Sequence, residues 1–471
     1  MIISWRLAWK FQDPFISDWD GFDYTTYSVK NLPSALGLSR ALFLGFNHLL
    51  WRIAHGLFDV PLENAYLVFR YAVIAQSGPA VVGIYALCKE LTASRLAAAA
   101  SALIVAASPF YITYSGRVMS EIPAFLMLSW SLWWMFRSLR LGRTKSFHFA
   151  ALLVGASANI REFAVFYLWI VPVAAYVSGL RWRQCVLAFA VAVFGALLGP
   201  LFWTLYSYDY YVPAVINWYR LSAQERRIHN ATAANFYFLR TFSYQCSVAA
   251  TLIAPFAIAF LARRRGLYGL KLLTAAGLLA DLVMLINHDL VVNPRYLLTG
   301  LLGLAAVSGW AIAELAKWRP EVAGGVALLV AGLSIGVFIQ QGKDNYDQLW
   351  NARAARRYLS RIEFLPENTV FIAGARTPLV NFYIGLGARP EWKTIQPGSG
   401  WPDERLGGVI DKYLAEGRPV YVDFDKDLWQ LGSRETAREW VGLEMIRNHY
   451  QLDHIHDEFY RVVRRQRSGA R

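Results

Sequence analysis

The amino-acid sequence predicts a polytopic α-helical membrane protein that carries a small α/β domain after its last span. Three observations lead to this fold class. Of its 471 residues 56% are hydrophobic, the mean hydropathy is +0.31, and only 17% are charged, against about 25% in typical soluble domains. Long apolar runs alternate with short polar connections as far as residue 340. From residue 341 onward the composition is that of a soluble domain.

Ten apolar segments are long enough to cross the bilayer, which takes about 20 residues, or fewer where the membrane thins. They cover residues 64–88, 94–113, 118–137, 146–160, 163–180, 184–206, 246–262, 270–287, 296–316 and 321–340. The stretch 146–180 could instead be one tilted helix with Arg161 and Glu162 at its centre. Basic clusters flank this stretch at both ends, and charges at the midplane are costly. We therefore expect two short helices that turn near these two residues.

Lys and Arg residues are concentrated in every second connection, as the positive-inside rule requires of cytoplasmic loops. This distribution accounts for the formal net charge of +14, and no phosphate-binding Gly-rich loop or basic aromatic pattern indicates a nucleic acid partner. The remaining connections are predicted to be extracytoplasmic. They are 18–23, 117–121, 161–162, 207–245, 288–295 and the tail after 341.

The amino-terminal segment does not supply the span that this topology needs. Ten spans place residue 64 and the carboxyl terminus outside, so the acidic segment 18–23 must also be outside. Residues 1–12 are too short and too polar to cross. We expect a first helix that is truncated or degenerate, which would make about ten or eleven spans in all. Segment 39–58 is amphipathic and is predicted to lie in the outer interface.

The carboxyl-terminal region, 341–471, has the pattern of a small extracytoplasmic α/β domain. Short apolar runs at 369–373, 419–424 and 458–463 predict strands, and 404–415 predicts a helix. The sequence thus indicates two domains, a membrane domain over 1–340 and a soluble domain over 341–471.

Three carboxylates close to the amino terminus are candidates for acid–base chemistry. Asp18, Asp20 and Asp23 lie among aromatic residues, with Tyr24 directly after them. A carboxylate at the membrane surface can accept the proton of an attacking hydroxyl. A solvated acidic loop is the simpler interpretation. Clustered carboxylates could also bind a hard divalent cation, but this spacing specifies no ligand set, so metal dependence stays uncertain.

Further charged residues stand at the predicted outer ends of helices. Arg117 and Glu121 are one turn apart, where they could pair with each other or cap the helix. Arg161 and Glu162 occupy the tip of the predicted helical hairpin, where a purely structural pair is an alternative.

The loop before the ninth predicted span supplies the last candidates for substrate binding, His288, Arg295 and Tyr296. Arg295 follows Pro294 at the mouth of the span, where a guanidinium could bind a lipid phosphate through two oxygens. Ordinary snorkelling to the interface is the alternative. Asp281, inside a predicted span, is interpreted as structural.

Several short motifs, in this order, resemble the prokaryotic protein-O-mannosyltransferase and aminoarabinose-transferase superfamily. They are Asp20 with Tyr24, the Ser-Pro-Phe…Ser-Glu-Ile-Pro stretch over 108–123, and Pro-Arg-Tyr-Leu-Leu over 294–298. The resemblance covers about residues 15–340. It implies the C-type glycosyltransferase fold and a polyprenyl-phosphate-linked sugar as donor. It also implies transfer at the outer face of the cytoplasmic (inner) membrane of a prokaryote, to a glycan, lipid or protein acceptor.

The resemblance also implies roles for single residues. Asp20 matches the catalytic aspartate of the first loop, Glu121 an acidic position that opens a later helix, and Arg295 the phosphate-binding region. The chain departs from the pattern because its first helix is missing or short, and because Asp18 and Asp23 compete with Asp20. A lipid-linked-sugar transporter and a non-catalytic scaffold remain the alternatives. A transporter would be expected to have paired polar residues near the midplane, whereas the polar residues here gather at one face.

Overall fold

A computed structural model of the chain describes residues 1–16, 19–34, 39–228, 236–237, 239–240, 244, 247–287, 294–346, 352–372, 377–387, 389–395, 403–424 and 434–465. By its internal contacts the chain divides into two compact units. The first unit comprises Met1–Ser17 and Tyr27–Leu349, and the second comprises Asp18–Thr26 and Trp350–Arg471. The sequence indicates only the boundary near residue 341, so the assignment of Asp18–Thr26 to the second unit is a finding of the structure.

Helices make up most of the described chain as far as residue 346. They are α1 (Ile2–Lys10), α2 (Trp19–Lys30), α3 (Ala41–Phe58), α4 (Ala65–Thr92), α5 (Arg95–Ala107), α6 (Pro109–Ser115), α7 (Glu121–Arg140), α8 (Thr144–Ala156), α9 (Ile170–Val177), α10 (Trp182–Tyr206), α11 (Tyr208–Ile228), α12 (Val248–Leu252), α13 (Ala254–Arg263), α14 (Tyr268–Asn287), α15 (Leu298–Ala316) and α16 (Pro320–Tyr346). Short 3₁₀ segments occupy Leu62–Asn64, Ser157–Asn159, Glu162–Tyr167 and Pro294–Leu297.

Five helices in the described part of the chain have the length and apolar composition to cross a membrane. They cover Leu62–Thr92, Trp182–Tyr206, Tyr268–Ile286, Arg295–Ala316 and Pro320–Gln340. Each coincides with a predicted span, because a continuous apolar run of this length is sufficient to indicate a membrane helix. The full count of ten or eleven spans stays a prediction.

A sixth candidate span consists of α5 and α6, which are bent against each other by 65°. Ser108, between the two helices, is extended with φ −63° and ψ 129°. Pro109 causes this break, because the proline ring disfavours the helical conformation of the residue before it. The predicted span 94–113 is therefore not a single straight helix.

The stretch 146–180 is interrupted, as the clusters of basic residues indicate. Helix α8 ends at Ala156, and α9 begins only at Ile170. Between them Arg161 is extended, with φ −148° and ψ 130°. One continuous helix over this stretch is therefore excluded.

Small residues allow neighbouring helices of the first unit to approach closely. A Cβ atom at Gly155 of α8 would overlap the carbonyl of Ala192, and one at Gly195 of α10 would overlap the carbonyl of Leu152. Close backbone contact through small residues is how helices associate in lipid, where apolar side chains gain little by leaving the solvent.

Helix α3 is two-sided, as its sequence predicts. Phe43, Leu44, Asn47 and Trp51 are buried on one side. The large apolar side chains exposed on the helix are Leu42, Phe46, Leu49, Ile53, Leu57 and Phe58. An apolar face of this kind is what a helix in the membrane interface requires, and that location stays a prediction.

The second unit contains an α/β domain, as the sequence indicates. Its elements are α17 (Ala352–Ile362), β1 (Val370–Ile372), α18 (Thr377–Gly385), β2 (Lys393–Ile395), α19 (Asp403–Ala415), β3 (Val420–Asp423), α20 (Arg434–His449), β4 (Tyr450–His456) and β5 (Phe459–Arg464). The predicted strands at 369–373, 419–424 and 458–463, and the predicted helix at 404–415, match β1, β3, β5 and α19.

The strands form one sheet in the order β2-β1-β3-β5-β4. Strand β1 pairs in parallel with β2 and β3, whereas β5 is antiparallel to both β3 and β4. The core is a cluster of side chains from the central strands and the covering helices, among them Val370, Val422, Ile410 and Ile446. The continuous burial of β1 and β3 is typical of parallel strands with both faces covered.

Candidate active site

Glu121 is the centre of a buried group of charges in the first unit. It is the first residue of α7 and is 1% exposed. The guanidinium of Arg161 approaches it, with Nη2 at 3.2 Å from Oε1. Arg161 also donates from Nη1 to the hydroxyl of Ser120 at 3.3 Å. The break in the helix at residue 161 is what lets this side chain reach the start of α7.

Arg295 approaches the same carboxylate, with Nε at 3.9 Å from Oε1 of Glu121, and its side chain is 8% exposed. The ring of Tyr296 lies 5.7 Å from the Arg161 guanidinium and 5.8 Å from that of Arg295. Cations at this distance are attracted to the electron-rich face of an aromatic ring. Tyr296 therefore contributes to holding both guanidinium groups near Glu121.

Glu162 extends the group through two further ion pairs. Arg40 donates to it from Nη2 at 3.1 Å and from Nε at 3.4 Å, and Nε of Arg161 lies 3.8 Å from Oε1. Burial alone would raise the pKa of the Glu162 carboxyl, but the charges of Arg40 and Arg161 outweigh burial and hold the pKa well below its usual range. Glu162 is therefore ionised at neutral pH.

We call Arg40, Glu121, Arg161, Glu162 and Arg295 the charge cluster. Among these five residues there are three guanidinium groups and two carboxylates. Neither oxygen of Glu121 is in hydrogen-bonding geometry with any described residue, so its attraction to Arg161 and Arg295 is one of charge. Buried charges of this kind are costly unless further partners satisfy them.

Arg117 lies outside this cluster and forms an ion pair that the sequence did not indicate. Its Nε is 3.4 Å from Oδ1 of Asp13, and the Asp13 amide donates to the carbonyl of Gly116 at 3.0 Å. The guanidinium of Arg117 also lies 5.6 Å from the ring centre of Tyr114. The carboxylate at Arg117 is thus Asp13, whereas the ion pairs of Glu121 are with Arg161 and Arg295.

Asp20 belongs to the second unit and stands in the first turn of α2. The hydroxyl of Tyr24 donates to Oδ2 of Asp20 at 3.2 Å, and Tyr24 is completely buried. The spacing of four residues that marks this pair in the sequence places both side chains on one side of the helix. Asp23 is half-buried. Asp18 and His288 lie outside the described residues.

The structure thus brings together five residues that the sequence analysis named as candidates in three separate connections. They are Glu121, Arg161, Glu162, Arg295 and Tyr296. Sequence reasoning missed Arg40 and Asp13. Arg40 is one of two arginines in the amphipathic segment 39–58, and its position in the sequence gives no indication of its partner. Within the described residues no group of three His, Cys, Asp or Glu side chains could hold a metal ion.

Asp281 has the surroundings of a structural residue. Its Oδ1 accepts a hydrogen bond from the Thr299 hydroxyl at 3.2 Å and one from the Gly300 amide at 3.0 Å. A buried carboxylate that is satisfied by neighbouring donors on α15 links two helices. This geometry agrees with the interpretation made from the sequence.

Comparison with known proteins supports the resemblance seen in the sequence. Residues 48–205 match the family described as dolichyl-phosphate-mannose-protein mannosyltransferase. This range includes Glu121, Arg161 and Glu162. No curated protein sequence matches the chain significantly.

Solved structures match over almost the whole chain. The crystal structure of ArnT from Cupriavidus metallidurans bound to undecaprenyl phosphate has a TM-score of 0.60 at 12% identity, covering 98% of this chain and 96% of that one. The apo form of the same protein has a TM-score of 0.58 at 13% identity, with the same coverage. The fold is that of a C-type glycosyltransferase. The Archaeoglobus fulgidus oligosaccharyltransferase, tethered to an acceptor peptide, also matches with a TM-score of 0.58 at 11% identity, covering 99% of this chain and 73% of that one.

Proposed function

We propose that this protein transfers a sugar from a polyprenyl-phosphate-linked donor to an acceptor hydroxyl at the outer face of the cytoplasmic membrane. The observation that carries the proposal is the charge cluster, which gathers the guanidinium groups of Arg40, Arg161 and Arg295 around two carboxylates on a C-type glycosyltransferase fold. The forked guanidinium group can bind two oxygens of a phosphate at once. The ArnT structure that shares this fold was determined with undecaprenyl phosphate bound.

In the proposed reaction the acceptor oxygen attacks the anomeric carbon of the sugar while Asp20 accepts the hydroxyl proton. The bond between that carbon and the phosphate oxygen breaks, and polyprenyl phosphate leaves with the bonding electrons. Attack from the side opposite the phosphate inverts the configuration. The hydrogen bond from Tyr24 orients the Asp20 carboxylate for this task.

Arg295 and Arg161 stabilise the charge that develops on the leaving phosphate. Preorganised cations in a site from which water is excluded contribute most to such a step, because no solvent must reorganise during the reaction. Glu121 holds both guanidinium groups in place before the donor arrives. In this scheme Arg295 binds the phosphate and Glu121 orients its ligands.

The proposal is tested by incubating the purified protein with a radiolabelled polyprenyl-phosphate sugar and a mixture of glycan, lipid and protein acceptors. Asp20→Asn should lower turnover by about 10²- to 10⁴-fold, with little change in donor affinity. Asp18→Asn and Asp23→Asn are the matched controls and should retain activity. An inactive control together with an active Asp20→Asn variant would reassign the base. A lipid that moves between leaflets without transfer of its sugar would favour a transporter.

A further inference from the structure

Helix α18 of the α/β domain packs against α2, the helix that carries Asp20. The rings of Phe22 and Phe382 meet edge to face, with 5.4 Å between their centres and an angle of 61° between their planes. Both side chains are buried, at 6% and 4% exposure. Aromatic pairs in this geometry gain attraction beyond the area that they bury.

One turn further along α2 the two helices are closer still. A Cβ atom at Gly385 would lie 2.6 Å from Cγ2 of Thr26 and 3.2 Å from its hydroxyl oxygen. Thr26 has little freedom to move aside, because its side chain is β-branched and its hydroxyl donates to the carbonyl of Phe22 at 3.1 Å. Only glycine fits at position 385 without a shift of one helix against the other.

These contacts lie on the side of α2 that faces away from the candidate base. Phe22 and Thr26 are one turn apart, as are Asp20 and Tyr24. At 3.6 residues per turn the two pairs are separated by about 200° around the helix axis. Packing against Phe22 and Thr26 therefore fixes the rotation of α2 about its axis, and with it the direction of the Asp20 side chain.

Helix α18 is itself held on the sheet of the α/β domain. The hydroxyl of Thr394 in β2 donates to the Asn381 side chain at 2.6 Å, and the hydroxyl of Tyr383 donates to Glu363 at 3.4 Å. The ring of Tyr383 also lies 6.4 Å from that of Trp392. Because α18 is anchored at several points, it can act as a rigid support.

We propose that the α/β domain serves the reaction by holding the helix of the catalytic base, with Phe382 and Gly385 as positioning residues. The claim that α18 positions Asp20 for catalysis rests on the proposed function. The claim that α18 holds α2 in place does not. Neither residue needs to touch the donor or the acceptor. The soluble domain is then a part of the active enzyme and not a separate module.

The decisive variant is Gly385→Ala, with Gly408→Ala as its matched control. Gly408 lies in α19, and a Cβ atom there meets nothing within 4 Å. Hydrogen exchange should become faster over residues 19–30 in Gly385→Ala and stay unchanged in Gly408→Ala. In the transfer assay Gly385→Ala should lower kcat about tenfold or more and leave the KM for the donor within about twofold, since a misplaced base slows proton removal but not donor binding.

Two further comparisons separate positioning from general loss of structure. Phe382→Leu keeps an apolar side chain against Phe22 and should restore much of the activity that Phe382→Ala loses. In an Asp20→Asn background, Gly385→Ala should cause no further loss of kcat, because there is no base left to misplace.

Each outcome bears on one of the two proposals. Equal exchange over α2 in the two glycine variants overturns the positioning role, as does wild-type kcat in Gly385→Ala. A second loss of kcat in the double variant overturns it too. If the wild-type protein transfers no sugar, the proposed function is wrong, and the exchange comparison alone decides whether α18 holds α2.

Discussion

At the scale of single residues, the burial of Arg295 bears on its two interpretations, snorkelling to the interface and binding of a lipid phosphate. Snorkelling requires a hydrated guanidinium, whereas the Arg295 side chain is 8% exposed and lies beside Glu121. This burial disfavours snorkelling, and the role that we propose for Arg295 is binding of the donor phosphate. The forked geometry of the guanidinium should then matter as well as its charge.

We expect Arg295→Lys to weaken use of the lipid-phosphate donor and Arg295→Ala to weaken it more. One hydrogen bond to a charged group contributes about 1.5–3 kcal/mol, which corresponds to roughly 10- to 150-fold. The loss should appear in kcat as well as in donor binding, because the contact strengthens as the phosphate leaves. Steady-state kinetics on both variants, with thermal stability as a control, measure it. Wild-type activity of Arg295→Ala would exclude the phosphate role.

Glu162 provides a second prediction, which concerns the pH dependence of stability. Arg40 and Arg161 hold the pKa of this carboxyl below its usual range. Because the pKa of Glu162 is lower in the folded protein than in the unfolded chain, ionisation of this carboxyl stabilises the fold at any pH above the unfolded-state pKa of about 4.3. This stabilisation is lost as the pH falls towards the folded-state pKa. The wild type should therefore exceed Glu162→Gln in thermal stability at pH 7, and the difference should narrow below about pH 4.

Thermal unfolding of the two proteins in detergent between pH 7 and pH 3 measures this difference. The exposed Glu63 supplies the matched control, and Glu63→Gln should follow the wild type throughout. A constant gap between wild type and Glu162→Gln over the whole range would show that the ion pairs are not the cause.

At the scale of elements, the sequence predicts a helix best where its polar and apolar residues recur with the helical period. The amphipathic pattern of 39–58 predicts helix α3, and the structure adds that its apolar residues divide between a buried side and an exposed side. Helices α5 and α6 show the opposite case. Their apolar run is continuous, but Pro109 divides it with a bend of 65°, which hydropathy alone does not reveal.

We expect the exposed apolar side of α3 to lie in the lipid interface. A nitroxide label at Leu49, which is 56% exposed, should be relaxed strongly by oxygen and weakly by a water-soluble nickel complex in a lipid nanodisc. A label at Lys412 of α19, whose side chain is 71% exposed, should show the reverse. Equal accessibility of Leu49 and Lys412 to the nickel complex would contradict the interfacial location.

At the scale of the whole molecule, topology determines whether the candidate residues share one side of the membrane. The alternation of basic connections predicts that reporter fusions after Gly142 and Arg265 are cytoplasmic. Fusions after Gln341 and at the carboxyl terminus should be external. Paired alkaline phosphatase and green fluorescent protein fusions at these positions measure it. A cytoplasmic carboxyl terminus would reverse the parity and remove the α/β domain from the proposed active face.

Several properties could be predicted from the sequence by itself. Membrane helices need long apolar runs and buried strands need short ones, so five candidate spans and the strands β1, β3 and β5 follow from local composition. Strands β2 and β4 were not predicted. The sequence marks the spacing of Asp20 and Tyr24 only as a motif of the resemblance, because 18–23 is predicted to be a loop, whereas the structure places both residues on one helix. The resemblance to C-type glycosyltransferases could also be seen in the sequence, because each of its motifs lies within a short stretch of the chain.

Only the tertiary structure decided which distant residues meet. Arg40 and Glu162 are 122 positions apart in the chain, and Arg161 is 41 positions from Ser120. Sequence patterns report the neighbours of a residue within one element, but an ion pair between elements depends on how the helices pack. For the same reason the support of α2 by α18 could not be predicted, because Thr26 and Gly385 meet only after the sheet has placed α18.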